Sequence, residues 1–367
     1  MPTLLSVRDL SVTFHASKEH KFTAVDGVSF DVDAGQIVGL VGESGCGKSV
    51  TSLAIMGLLP ERGNTVTGEA LYDGTDLIAL PDRRLRDLRG SELGMIFQDP
   101  LSSLNPVVPL GLQVAEVLMR HQHLSRSKAM PRAEEMLERV GIPDPHRRLR
   151  EYPHQISGGM RQRALIAMAL ASAPRLLIAD EPTTALDVTI QAQVLALLTE
   201  LVHETGTALI MITHDLGVVA GMCDEVNVLY GGKIVERSPR YPLFDYPRHP
   251  YTGGLLASIP RLDSERGSRL NPVPGSVMDN ISWEYGCAFA PRCTSAIGTC
   301  FEVPPDLVPD DGAGSPVPVA PGRFLRCHNP LTPAGPRSVT PDNPGDGPGD
   351  GTGASESLDL SAEAADG

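Results

Sequence analysis

The chain has 367 residues, 41% of them hydrophobic, which suits one large domain with an appendage, or two modest domains, around a sizeable core. Its formal net charge of −14 excludes the broad basic footprint of a nucleic-acid binder, so no nucleic-acid partner is expected, although a local patch can still hold anions. No run approaches about eighteen uninterrupted apolar residues, so no membrane-spanning helix is expected.

At the N-terminus, "MPTLLSVRDLSVTF" lacks the basic head and apolar run of a secretory signal. Short β runs alternating with longer helical stretches fill roughly residues 1–240. "QIVGLVG", Gln36 to Gly42, reads as a buried strand feeding a glycine turn and the helix "KSVTSLAIMGLL". Between Pro106 and Ser157 the pattern becomes helical, in "VAEVLMRHQ" and "KAMPRAEEMLERVG". "RLLIAD" (Arg175 to Asp180) and "ALIMIT" (Ala208 to Thr213) are continuous apolar runs, as expected of parallel strands covered on both faces. From Tyr241 the sequence turns Pro-rich and irregular, and then brings in cysteines. Residues 331–367 are Pro-, Gly- and Asp-rich with almost no large apolar groups; they cannot bury enough surface to offset ordering, and disorder is expected.

"GESGCGKS", Gly42 to Ser49, fits G-x-x-x-x-G-K-[ST] between a strand and a helix, the context that gives this pattern meaning. Glycines let successive backbone N–H groups curl around phosphate oxygens, and the helix N-terminus adds a favourable dipole. Gly42, Ser44, Gly45, Cys46, Gly47, Lys48, Ser49 and Val50 are therefore the candidate phosphate contacts. Lys48 would reach the β- and γ-phosphates and Ser49 would give its hydroxyl oxygen to Mg²⁺. A bare glycine turn is the plain alternative, which the strand–loop–helix context disfavours. "LLIADEPTTALD" then ends an apolar strand in Asp180, placed to hold Mg²⁺ directly or through water, with Glu181 next to it to polarise an attacking water. Two acids at a strand end are otherwise a solvated turn; behind a phosphate loop they are better read as catalytic.

"QISGGMRQR" (Gln155 to Arg163) resembles the signature motif of ABC-type ATPases, and "FQD" around Gln98, "TALD" ending at Asp187 and "ITHD" with His214 accompany it in order. The resemblance covers residues 1–240. It implies an α/β fold: a P-loop, RecA-like core with a helical subdomain and an antiparallel β subdomain, ahead of a small irregular Cys-containing appendage. It also implies a head-to-tail dimer, in which ATP lies between the phosphate loop of one copy and Ser157, Gly158 and Gly159 of the other. In the same terms Gln98 senses Mg²⁺ and couples to the membrane partner, His214 contacts the γ-phosphate, Asp187 belongs to the inter-subunit loop and Phe14 stacks on adenine. A lone Phe there could equally be core. Met160 and Ile156 depart from the commonest signature without touching its serine or glycines.

DNA-handling members of this superfamily interrupt the domain with coiled coils or zinc modules, and translation factors carry two such domains; this chain shows neither. "QDPLSSLNP", "YPHQISGGMRQR" and "YPRHPYTGGLLASIP" (Tyr246 to Pro260) resemble the ATPase subunits of oligopeptide, dipeptide and nickel importers, extending the likeness through residues 241–330. Gln155 stands where those ATPases often have Glu. The implied partners are a second ATPase subunit (paralogue or identical copy), two transmembrane permease subunits and an extracytoplasmic substrate-binding protein, with this chain on the cytoplasmic face of the membrane.

Four thiols, Cys287, Cys293, Cys300 and Cys327, are separated by five, six and twenty-six residues. Cys46 and Cys223 stand apart. A reducing compartment disfavours disulfides, and no tight C-x₂₋₄-C pair suggests zinc. The wide spacing suits a [4Fe–4S] cubane, which members of the importer family are also reported to hold; redox sensing is the alternative. A metal would staple an appendage poor in apolar residues. Cys293→Ser is accordingly expected to loosen the region after Tyr241 while sparing ATP binding at Lys48.

Overall fold

Alternating apolar residues in the first 33 positions fold back on themselves as β1 (Thr3–His15) and β2 (Lys21–Asp33), antiparallel with Val7 opposite Phe30 and Phe14 opposite Phe22. A computed structural model of the chain describes residues 2–15, 21–184, 186–259, 273–276, 285–312 and 320–332. After β3 (Ile37–Val41) come β4 (Asn64–Tyr72) and β5 (Thr75–Asp76), which complete a four-stranded antiparallel sheet in the order β2-β1-β4-β5.

The larger sheet takes β3 together with β6 (Leu93–Ile96), β7 (Leu176–Asp180), β8 (Ala208–Thr213), β9 (Glu225–Tyr230), β10 (Lys233–Pro239), β11 (Val308–Pro309) and β12 (Phe324–Leu325). Its order is β11-β12-β10-β9-β3-β8-β7-β6, parallel from β6 to β9 and antiparallel beyond. All residues of β3, β7 and β8 are buried, because successive side chains feed two different cores. Val38, Leu40, Ile210 and Ile212 pack with the small sheet's Val7, Val25 and Phe30. Ile37, Val41, Leu209 and Met211 pack with the helices instead. That two-sided burial is the reason for the unbroken apolar runs.

The helical stretch forms as expected, in Leu110–His121, Arg126–Arg139 and Pro145–Arg148, and Leu118, Ala133 and Leu137 pack it onto the helix Gly158–Leu170. Asp187 caps the helix Val188–Thr205, and Gly206, at φ +65°, ends it.

The described residues after Tyr241 include regular elements that the Pro-rich composition did not suggest. Helices Arg240–Asp245 and Pro250–Ala257 follow β10, and β12 returns to pair with β10 at Glu236 and Arg237. Buried charges tie the return down: Glu236, wholly enclosed, accepts from the Arg323 guanidinium and from the Arg248 and His249 N–H groups, while Arg248 pairs with Asp310. Each is neutralised by a partner, as burial demands. The tail expected to be disordered lies, beyond residue 332, outside the described residues. Among the described residues no helix is long and apolar enough to cross a membrane.

Candidate functional site

β3 ends at Val41, and the chain turns through a loop before the helix Lys48–Ile55 begins. Two positions admit only glycine. Gly42 has φ +153°, and a Cβ there would lie 2.3 Å from the Leu229 carbonyl oxygen. Gly47 caps the helix at φ +103°, where a Cβ would lie 2.4 Å from the Ala24 carbonyl oxygen. The loop is thus pressed against β9 on one side and β2 on the other, ahead of a helix N-terminus that favours an anion.

Lys48 is almost fully buried, and its ammonium donates to the carbonyl oxygens of Gly42 (2.8 Å) and Glu43 (3.0 Å). Ser49 donates its hydroxyl to Asp180 Oδ1 at 2.9 Å, bringing together two of the three residues expected at Mg²⁺, the third being Gln98, from positions 131 apart. Burial raises the Asp180 pKa, the Ser49 hydroxyl opposes the shift, and the neighbouring Glu181 adds to it. A carboxylate that is costly to ionise and lies beside a hydroxyl suits a divalent cation, which would supply the missing positive charge.

Glu181 sits at φ +46°, unusual for a non-glycine residue, where the chain turns out of β7. Its Oε2 accepts from Thr184 Oγ1 (2.8 Å) and Gln98 Nε2 (3.0 Å), and His214 Nδ1 stands 3.3 Å from Oε1. Burial alone would raise its pKa; the Thr184 hydroxyl, His214 and Lys48 outweigh burial, and the net shift is downward. Adjacent carboxyls therefore differ: Asp180 is pushed up and Glu181 is held ionised.

Phe14, Ser44, Gly45, Gly47, Lys48, Ser49, Val50, Gln98 and Glu181 line one open cleft of about 250 Å³. Gly42 and Cys46 lie behind it, Cys46 fully buried with its thiol 3.8 Å from the Lys48 ammonium. His214 reaches the site through Glu181 alone. Ser157, Gly158, Gly159 and Asp187 are not in the lining: Ser157 caps its helix by accepting from the Met160 N–H (3.4 Å), and Asp187 caps the next by accepting from the Ile190 N–H (3.0 Å). The sequence did not reveal Phe22 and Ala24, which line the cleft together with Phe14, or Thr184 on Glu181. The antiparallel pairing of Phe14 with Phe22 was the signal available for the first.

The four thiols of the appendage also come near one another. The Cys287 N–H donates to the Cys300 carbonyl oxygen (2.7 Å), and Cys300 is buried. Burial raises the pKa of Cys287 and Cys293 and pushes Cys327 up to about 12, with the neighbouring thiols adding to each shift. Yet among the described residues no three His, Cys, Asp or Glu side chains are grouped so as to hold a metal ion. The expected [4Fe–4S] cluster is matched in donor type and not in arrangement.

Residues 25–184 match the family model for the ABC transporter, and residues 235–300 match that for the oligopeptide/dipeptide transporter, C-terminal region. The dipeptide transport ATP-binding protein DppD of Bacillus subtilis is 51% identical over 83% of this chain and 91% of its own length. The oligopeptide transport ATP-binding protein OppD of Salmonella typhimurium is 47% identical over 89% of this chain and 94% of its own. Among solved structures, the dimeric post-hydrolysis ATP-binding cassette MJ0796 bound to ADP and Pi superposes with a TM-score of 0.58 at 28% identity, over 64% of this chain and 98% of that one.

Proposed function

The chain belongs to the ATP-binding proteins of ABC transporters, in the branch with the oligopeptide/dipeptide transporter C-terminal region, and we propose that it hydrolyses ATP to energise peptide import across a membrane. One arrangement carries this reading: Lys48, Ser49 and an ionised Glu181 line one cleft, and the buried Asp180 lies behind it, holding the Ser49 hydroxyl. The phosphates of ATP replace the Gly42 and Glu43 carbonyls as partners of Lys48, and the loop amides enclose them. Ser49 and Asp180, with Gln98, would hold Mg²⁺, which when bound offsets charge building on the phosphates. Glu181 orients a water for in-line attack, Thr184 and Gln98 fix its carboxylate, and His214 is poised beside it to meet the γ-phosphate.

In the same proposal residues 1–240 form the nucleotide-binding domain, 241–330 the peptide-importer extension and 331–367 a tail. The partners are a second ATPase subunit, two permease subunits and an extracytoplasmic binding protein, with this chain on the cytoplasmic face. A [4Fe–4S] cluster is supported by the four-thiol donor set alone, since the described side chains are not grouped to hold a metal. Anaerobic purification with iron analysis tests it, and stoichiometric zinc or no metal overturns it.

The function is tested in the assembled transporter. Glu181→Gln should keep ATP binding and lose turnover by about 10²- to 10³-fold, and peptide uptake into vesicles should fall with it. Near-parental hydrolysis would remove Glu181 as the catalytic carboxylate. Stimulation by Ni²⁺ and not by peptides would replace the peptide reading with uptake of a small cation.

A further inference from the structure

Glu43, second residue of the phosphate loop, is gripped from far along the chain. Its backbone N–H donates to the Tyr251 hydroxyl at 2.9 Å. Its carboxylate accepts a two-pronged bond from Arg292, Nη1 to Oε2 at 2.6 Å and Nη2 to Oε1 at 3.0 Å. Its carbonyl oxygen accepts from Lys48 at 3.0 Å. Every polar group of this residue is therefore engaged, and two of its partners, Tyr251 and Arg292, lie more than two hundred residues away.

Arg292 is itself fixed. Its side chain is 3% exposed, its Nε donates to the Pro274 carbonyl oxygen (2.6 Å), and Nη2 also reaches that of Gly275 (3.1 Å). Its guanidinium lies 5.6 Å from the centre of the Tyr230 ring, which meets the rings of Tyr251 and Phe289 edge-on. A buried guanidinium with a bidentate carboxylate is among the stronger and more directional contacts available to a protein. A structural strut could end anywhere on the domain; this one ends on the residue whose carbonyl holds the catalytic lysine.

We propose that Arg292 and Tyr251 are positioning residues for ATP: by clamping Glu43 they fix the start of the phosphate loop, so that its amides and Lys48 meet the phosphates without rearrangement. The clamp acts on binding through pre-organisation, and it rests on the reading that this cleft binds ATP. Its signature is a rise in KM and Kd for ATP with kcat at saturation little changed, a split that mere loss of folded protein does not produce.

ATP·Mg²⁺ affinity and steady-state hydrolysis are measured on the full chain for the parent, Lys48→Ala, Arg292→Ala, Glu43→Gln, Tyr251→Phe and the Arg292→Ala/Glu43→Gln pair. Loss of binding in Lys48→Ala but not the parent establishes the ATP site whatever the other variants do. Arg292→Ala and Glu43→Gln should each weaken binding about tenfold, and the pair by clearly less than the product of the two, because both act on the Arg292–Glu43 contact. Tyr251→Phe, which loses only a hydroxyl, should weaken it severalfold. Unchanged affinity in Glu43→Gln and Tyr251→Phe overturns the proposal even if Arg292→Ala fails to fold, as do fully additive effects in the pair.

Discussion

Asp180 and Glu181 are neighbours on one strand end, yet their carboxyls are shifted in opposite directions. For Asp180 the dominant cause is burial, so its folded pKa stands above its unfolded one. Its ionisation therefore costs stability as pH rises through the unfolded value, and the cost is complete above the folded value. Asp180→Asn should accordingly leave the nucleotide-free chain as stable as the parent or more so at neutral pH, because the amide oxygen can still accept from Ser49. The same change should abolish Mg²⁺-dependent hydrolysis. Thermal unfolding and ATPase assays check both halves, and a clear loss of melting temperature would contradict the account. For Glu181 the folded pKa is lowered, so its contribution is present at neutral pH and is lost only as pH falls through that value; its carboxylate stays charged where the enzyme works. Ser49, Lys48, Asp180 and Glu181 were legible in the sequence because each is tied to a strand end or a helix start that has its own pattern. Thr184, Phe22 and Arg292 were not, because what makes them functional is a contact, and contacts between residues 43 and 292 leave no local periodicity.

At the scale of elements, β3, β7 and β8 could be read directly, since burial on two faces forces continuous apolar runs. β11 and β12 could not, being two residues each, too short for an alternation to show. The helix Pro250–Ala257 begins at His249, whose Nδ1 accepts from the Tyr251 N–H at 3.1 Å. That imidazole is buried, and burial pushes its pKa down to about 3. The unfolded chain therefore takes up a proton that the folded one refuses, and stability should fall as pH drops from about 6.5 toward 3. His249→Asn keeps a capping oxygen without the titration, so urea unfolding at pH 7 and pH 5 should show a smaller acid penalty in that variant. Equal penalties would mean that other groups carry the effect. Tyr251 and Arg292 also revise the expected independence of the appendage. Cys293 follows Arg292 directly, so Cys293→Ser should disturb ATP affinity through Glu43 if it loosens the appendage at all.

At the scale of the molecule, the proposed head-to-tail pairing would complete the site with residues of a second copy. The cleft holds the phosphate loop and Glu181, whereas Ser157 and Gly158, exposed at a helix start, lie outside its lining. Val188, 82% exposed, leaves an apolar side chain bare beside Asp187 at the start of the helix after β7. A helix N-terminus favours an anion, and in the proposed dimer the one at Ser157 meets a phosphate held by the loop of the second chain. Hydrolysis per chain should therefore rise with protein concentration. A sharper consequence follows from pairing two inactive variants. Lys48→Ala spoils the loop and spares the signature; Ser157→Arg does the reverse. In a head-to-tail dimer of one of each, one site combines both lesions and the other combines both intact halves. An equimolar mixture forms mixed dimers about half the time, so about a quarter of the parental activity should return from two chains that are each inactive alone. Activity that stays absent at every mixing ratio, with dimers present by sedimentation, would show that each chain completes its own site.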